Sequence, residues 1–195
     1  VFDFESGLRL VKRRAELMDA AAGGKMVALM KFDRAKLEQA IAETADVVFA
    51  NDNSEGQVVI SGTPEAVDRV VDRVKAKRAV ALKVSGAFHS PLMAEASEQF
   101  QEVLATVQFS DAQIPVLSNV DPIATTDSEK LKQRSIAQIT SSVRWRETML
   151  ELPKNDISQV VEVGPGKVLA GLIKRTCKGI DLKNFGSLTD LVNMH

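Results

Sequence analysis

Apolar residues at Phe4, Leu8, Val11, Ala15 and Met18 alternate spacings of four and three, which puts them on one helix face, with Asp3 at the cap position. Arg13 and Arg14 sit off that stripe, and Ala20-Ala21-Ala22-Gly23-Gly24 closes the helix in a flexible joint. Shorter runs follow. Met26 to Met30 predicts a strand, Asp33 caps a helix carrying Leu37, Ala40 and Ile41, and Val47-Val48-Phe49 predicts a second strand. After the turn-rich stretch from Asn51 to Gly56, Gln57-Val58-Val59-Ile60 predicts a third, antiparallel to the second. Thr63-Pro64 opens a helix buried through Ala66, Val67, Val70, Val71 and Val74, and Ala79 to Val84 predicts a fourth strand. The order βαββαβ over residues 25–84 is the ferredoxin-like arrangement.

From Leu92 the pattern becomes helix (Leu92 to Ala105), strand (Pro115 to Asn119), helix (Glu129 to Ile139), strand (Gln159 to Val163) and helix (Lys167 to Cys177). Such alternation predicts parallel strands joined by crossover helices, an α/β class. Val116-Leu117 and Val160-Val161 read as strands buried on both faces, and two strands cannot cover themselves, so the sheet is expected to need more strands.

Composition narrows the functional classes. The 195 residues are 45% hydrophobic and 26% charged, with 11 Gly and 6 Pro, which fits a folded globular chain and excludes low-complexity and collagen-like ones. Lys and Arg total 25 against 26 Asp and Glu, so no global field draws in nucleic acid or an anionic membrane. With no Tyr, one Trp and no interleaved aromatics on the 25–84 strands, base stacking is disfavoured too. One cysteine and two histidines offer neither an internal disulfide nor a zinc site. The chain also lacks a signal-peptide start and any bilayer-length apolar run, so no membrane partner and a reducing cytoplasmic setting are expected.

Several residues carry candidate chemistry. His89 lies in the loop Val84 to Met93 between a strand and a helix, where catalytic groups concentrate, although a lone histidine also serves as a satisfied structural residue. Arg14, beside Lys12 and Arg13, reads by itself as part of a solvated basic turn. Gly164-Pro165-Gly166-Lys167-Val168 lacks the Ser or Thr and the glycine spacing of a phosphate-binding loop. Cys177 reads as a small apolar packer, despite Lys174, Arg175 and Lys178 nearby. Arg69, Arg73, Lys75, Lys77, Arg78 and Lys83 form a basic run, either a solvated face or a patch for an acidic partner.

Five segments in order, Leu8 to Met18, Asn51 to Gly62, Gly86-Ala87-Phe88-His89-Ser90-Pro91-Leu92-Met93, Pro115 to Val120 and Glu162 to Leu169, resemble the malonyl-CoA:acyl carrier protein transacylases and the acyltransferase domains of fatty-acid and polyketide synthases. The resemblance implies a hydrolase-like parallel-sheet domain, here residues 1–24 and 85–195, with an inserted ferredoxin-like small subdomain at 25–84. It further implies ping-pong transfer of a malonyl group from CoA through a serine to the phosphopantetheine thiol of acyl carrier protein. Malonyl-CoA is then a substrate, and no cofactor or metal is expected.

On this resemblance His89 matches the catalytic histidine, and Gln138 the residue whose main-chain carbonyl orients it, so the Gln138 side chain is expected to matter little. Arg14 matches the arginine gripping the malonyl carboxylate, and Phe88 an aromatic that crowds out a branching methyl. Asn51, Asn53 and Gln57 match positions lining the cleft, and Lys77 and Arg78 positions that meet the acidic carrier protein. The family's Gly-His-Ser-Leu-Gly elbow has no counterpart, since no Gly-x-Ser-x-Gly occurs here, and Val1 is not a translation start. The expectation is therefore a C-terminal portion, inactive alone and completed by a missing N-terminal segment, the alternative being an inactive CoA- or carrier-protein-binding module.

Overall fold

The computed structural model describes residues 1–187, 189 and 190. The chain divides into two compact units, Val1–Trp145 and the residues from Arg146 onward.

The first unit opens with α1 (Phe4–Ala20), capped by Asp3, whose side chain accepts from the Ser6 amide at 2.7 Å. Next come β1 (Lys25–Met30), α2 (Arg34–Ala42), β2 (Val47–Ser54), β3 (Gln57–Gly62), α3 (Pro64–Val74) and β4 (Arg78–Ala81). The strands form one four-stranded sheet in the order β2-β3-β1-β4, antiparallel at every edge. One face buries Val27, Leu29, Val58 and Ile60 under Leu37 and Ala40 of α2 and Ala66, Val67, Val70 and Val74 of α3. The other face presents Met26, Ala28, Ala50 and Val59, against which Phe88 packs. α4 (Ala94–Ala105), preceded by a 3-10 turn at Pro91–Met93, and α5 (Ser128–Ala137) complete this unit's helices. Phe100 and Leu104 of α4 pack with Leu10 and Leu17 of α1 and with Ile139 beyond α5.

Two predicted features differ here. The stripe expected to be the buried face of α1 is largely open, with Phe4 86%, Leu8 59% and Val11 65% exposed, while Leu10 and Leu17 are buried. α1 is apolar on two sides, and periodicity does not tell which side is covered. The strand predicted at Pro115 to Asn119 is absent: Val116 makes one isolated antiparallel bridge to Thr125. A parallel strand needs a hydrogen-bonding neighbour, and none of the described strands runs beside it.

The second unit holds most of α6 (Trp145–Lys154), then β5 (Gln159–Val163), α7 (Val168–Thr176) and β6 (Asp181–Phe185), the two strands pairing in parallel. Of Val160 and Val161, expected to be covered on both sides, Val160 is half-buried and Val161 is 42% exposed. After the glycine turn between β5 and α7, the Glu162 carboxylate accepts from the Leu169 and Ala170 amides at the start of α7 at 3.0 and 2.9 Å. Cys177 is buried and donates its thiol to the Met149 carbonyl, a packing role in which burial pushes its pKa up.

Among the described residues no helix is long and apolar enough to cross a membrane.

The joint after α1 fixes the loop that carries His89. Gly23 donates to the Ser85 carbonyl at 3.1 Å, and Ala87 donates back to Gly23 at 2.9 Å. Gly24, at φ +89°, would place a Cβ 2.5 Å from the Ala87 Cβ and 2.9 Å from the Gly62 carbonyl oxygen. Gly24→Ala is expected to destabilise the chain by about 1–3 kcal/mol in urea unfolding. Gly56→Ala, where nothing lies within 4 Å of a built Cβ, is the near-neutral control.

Candidate active site

Arg14 lies on α1 between Leu10 and Leu17, four residues after one and three before the other, so it shares their packed side of the helix. That placement half-buries a guanidinium, and burial pulls its pKa below the ordinary arginine value. Its Nη2 donates to Oε1 of Gln138 at 2.8 Å. No carboxylate among the described residues forms an ion pair with it, and a half-buried cation without a counter-charge is a standing attraction for an anion.

Gln138 is the C-cap of α5, where the last helical carbonyls have no partner within the helix. One such carbonyl is used here: the Gln138 main-chain oxygen lies 2.9 Å from Nδ1 of His89. A carbonyl can only accept, so the contact requires the proton on Nδ1 and leaves Nε2 of the neutral ring as a free base. His89 sits at φ +57°, a left-handed conformation that costs a side-chain-bearing residue free energy and is held by its surroundings. The loop supplies that restraint. Ala87 and Ser90 are buried, Ser90 Oγ donates to the Ala87 carbonyl at 2.6 Å, and the same Oγ accepts from the Leu92 amide. With its proton committed, Ser90 is a turn residue and not a nucleophile.

The His89 imidazole is held below the usual histidine pKa. Burial is the main cause and the nearby Arg14 charge adds to it, while backbone hydrogen bonding by Gln138 and Ser141 opposes both. Its base form therefore persists to a pH below 6.5, the ordinary value.

A cavity of about 830 Å3 opens at Arg14 and Gln138, and neither His89 nor Phe88 lines it. Arg14, Gln138, Ser118 and Asn119 supply polar lining, and Leu8 and Val11 contribute to its apolar wall. Ser118 and Asn119 are functional candidates that sequence reasoning missed, their one local signal being a turn-forming pair at the end of an apolar run.

The structure thus joins Arg14, Gln138 and His89, residues far apart in sequence. Phe88 is adjacent, half-buried between the apolar sheet face and the α1–α4 cluster. Asn51, Asn53 and Gln57 are half-buried on β2 and β3 and do not line the cavity. Lys77 and Arg78 are exposed at the start of the edge strand β4, where Lys77 donates its amide to the Lys31 carbonyl. The Gln138 side chain, expected to matter little, accepts the hydrogen bond from Arg14.

The model of the acyl transferase domain family matches residues 1–191. A malonyl CoA-acyl carrier protein transacylase from Synechocystis sp. is 56% identical over 191 residues, covering 98% of this chain and 65% of the relative. Another from Bacillus subtilis is 40% identical over 182 residues, covering 88% of this chain and 57% of the relative. The chain therefore spans roughly three-fifths of the length of these curated relatives. The crystal structure of the Synechocystis sp. malonyl-CoA:ACP transacylase superposes with a TM-score of 0.96 at 55% identity, over 100% of this chain and 66% of the other.

A depressed histidine pKa has a signed consequence for stability. The unfolded chain takes up a proton on His89 at a higher pH than the folded chain does, so this contribution is complete above about pH 6.5 and is lost as pH falls toward the folded value. Nuclear magnetic resonance titration is expected to give a His89 midpoint below 6.5. The fall in stability through that window should shrink in His89→Gln.

Proposed function

The chain belongs to the acyl transferase domain family, and we propose that it carries the base and the substrate clamp of a malonyl-CoA:acyl carrier protein transacylase acting in cytoplasmic fatty-acid synthesis. The observation carrying this reading is the Arg14–Gln138–His89 group, an uncompensated cation and an imidazole oriented through its Nδ1, joined through one residue.

In the proposed reaction a serine hydroxyl gives its proton to His89 Nε2 as its oxygen attacks the thioester carbonyl of malonyl-CoA. The tetrahedral adduct collapses, the carbon–sulfur bond breaks, and the histidine returns the proton to the leaving CoA thiol. The carrier protein's phosphopantetheine thiol then loses its proton to the same nitrogen and attacks the malonyl-serine ester, and the serine leaves reprotonated. The orienting acceptor is a main-chain carbonyl where a common triad has a carboxylate, and it fixes the ring tautomer without adding a charge. Arg14 grips the distal carboxylate through parallel charge-assisted hydrogen bonds, a geometry lysine does not reproduce.

No Gly-x-Ser-x-Gly occurs in these residues, so the serine is supplied from outside them. The exposed stripe Phe4, Leu8 and Val11 and the cavity it lines support a seat for the elbow-bearing segment on α1. Residues 25–84 act as the ferredoxin-like lobe, and 1–24 with 85–195 belong to the larger hydrolase-like lobe. The sheet order β2-β3-β1-β4 supports the first assignment. The resemblance supports a cleft between the lobes, distinct from the cavity at Arg14, that Asn51, Asn53 and Gln57 face and Phe88 narrows against branched acyl groups, and the exposure of Lys77 and Arg78 supports their meeting the acidic carrier protein.

This chain alone is expected to transfer no malonyl group, and addition of a segment bearing the elbow serine is expected to restore transfer. In the restored enzyme Arg14→Ala should weaken malonyl-CoA binding by on the order of 2–5 kcal/mol and erase the preference over acetyl-CoA. Unchanged malonyl-CoA affinity in Arg14→Ala rejects the clamp. A native-like complex that still transfers nothing leaves the chain a binding module only.

A further inference from the structure

We propose that the Gln138 side chain is a specificity-determining positioning residue, orienting the Arg14 guanidinium and, by being a neutral amide, leaving that cation free to select an anionic acyl group. The inference rests on Arg14 being the carboxylate clamp.

A guanidinium has five N–H donors, and the 2.8 Å bond from Nη2 to Gln138 Oε1 uses one of them. The amide oxygen therefore anchors one edge of the group and leaves another for a bidentate carboxylate. A glutamate here would have nearly the same shape and opposite consequences. Its carboxylate would pair with Arg14 internally, cancel the charge that recognises substrate, and compete with the substrate carboxylate for the same donors.

Gln138 is well placed for this work because its backbone is fixed. Its amide bonds to the Arg134 carbonyl at 3.1 Å, its own carbonyl holds His89 at 2.9 Å, and the following residue, Ile139, is fully buried in the α1–α4 cluster. A side chain rooted at that point holds Arg14 in register with the imidazole, so clamp and base are set by one residue. The imidazole is faced by Arg14 from α1 and by the backbone at Gln138 and Ser141, with no carboxylate among these groups. A carboxylate introduced at position 138 would therefore add a negative charge to these neutral and cationic surroundings of His89.

The test compares Gln138→Glu and Gln138→Met with the parent chain by two readouts, after thermal melts establish folding. Without ligand, the Arg14 side-chain N–H signals should exchange with water faster in Gln138→Met and slower in Gln138→Glu. The His89 midpoint should stay in place in Gln138→Met, where the main-chain carbonyl remains, and rise in Gln138→Glu. In the serine-complemented enzyme Gln138→Glu should lose about tenfold or more in malonyl-CoA affinity and gain relative preference for acetyl-CoA. Arg14 signals that are unchanged in both variants overturn the inference. So does a Gln138→Glu enzyme with parental malonyl-CoA affinity while Arg14→Ala remains impaired. If Arg14→Ala also binds normally, the clamp itself fails, and the inference falls with it.

Discussion

The arrangement depends on a helix C-terminus whose last carbonyl is left without a helical partner. Gln138 spends that carbonyl on Nδ1 of His89 and its amide oxygen on Nη2 of Arg14. The backbone contact selects the tautomer with a basic Nε2, and the side-chain contact keeps a cation close by. Neither introduces a negative charge. That neutrality lets a half-buried arginine keep its attraction for an external carboxylate and lets a half-buried imidazole stay unprotonated near neutral pH.

The rest of the first unit brings three distant stretches of chain to that point. The Gly23–Gly24 joint passes close enough to the 85–87 loop to exchange two backbone hydrogen bonds with it, so the end of α1 and the base of the His89 loop move as one. Phe88 sits between the sheet face of Met26, Ala28, Ala50 and Val59 and the α1–α4 cluster. Segment 138–143 is tied in from the other side, where Val143 and the β2 backbone exchange bonds of 2.8 and 2.9 Å. A left-handed histidine is tolerable in such a frame because neighbouring contacts over-determine its backbone.

Much of this was legible where local chemistry decides. Asp3, Asp33 and Thr63 cap α1, α2 and α3 as their sequence positions imply, and the apolar spacings located both helices of the 25–84 stretch. Reading failed where tertiary context decides. Asn51 to Ser54 look like turn residues yet continue β2, because register shifts at Phe49/Asn51 and Asp52/Ser54 absorb the irregularity against β3. β6 carries polar residues at Asp181, Lys183 and Asn184 and is held by pairing with β5, so it gives little period-2 signal. The covered side of α1 and the contact between Arg14 and Gln138, 124 residues apart, arise only when separate elements meet.

The most direct test of the account is a crystal structure of the chain grown with malonate. It is predicted to show one carboxylate bidentate on Arg14, the bond from Arg14 to Gln138 Oε1 retained, and the His89 Nε2 edge facing the bound diacid. Malonate bound away from Arg14, or an Arg14 side chain swung out to solvent with His89 released from the Gln138 carbonyl, would contradict it.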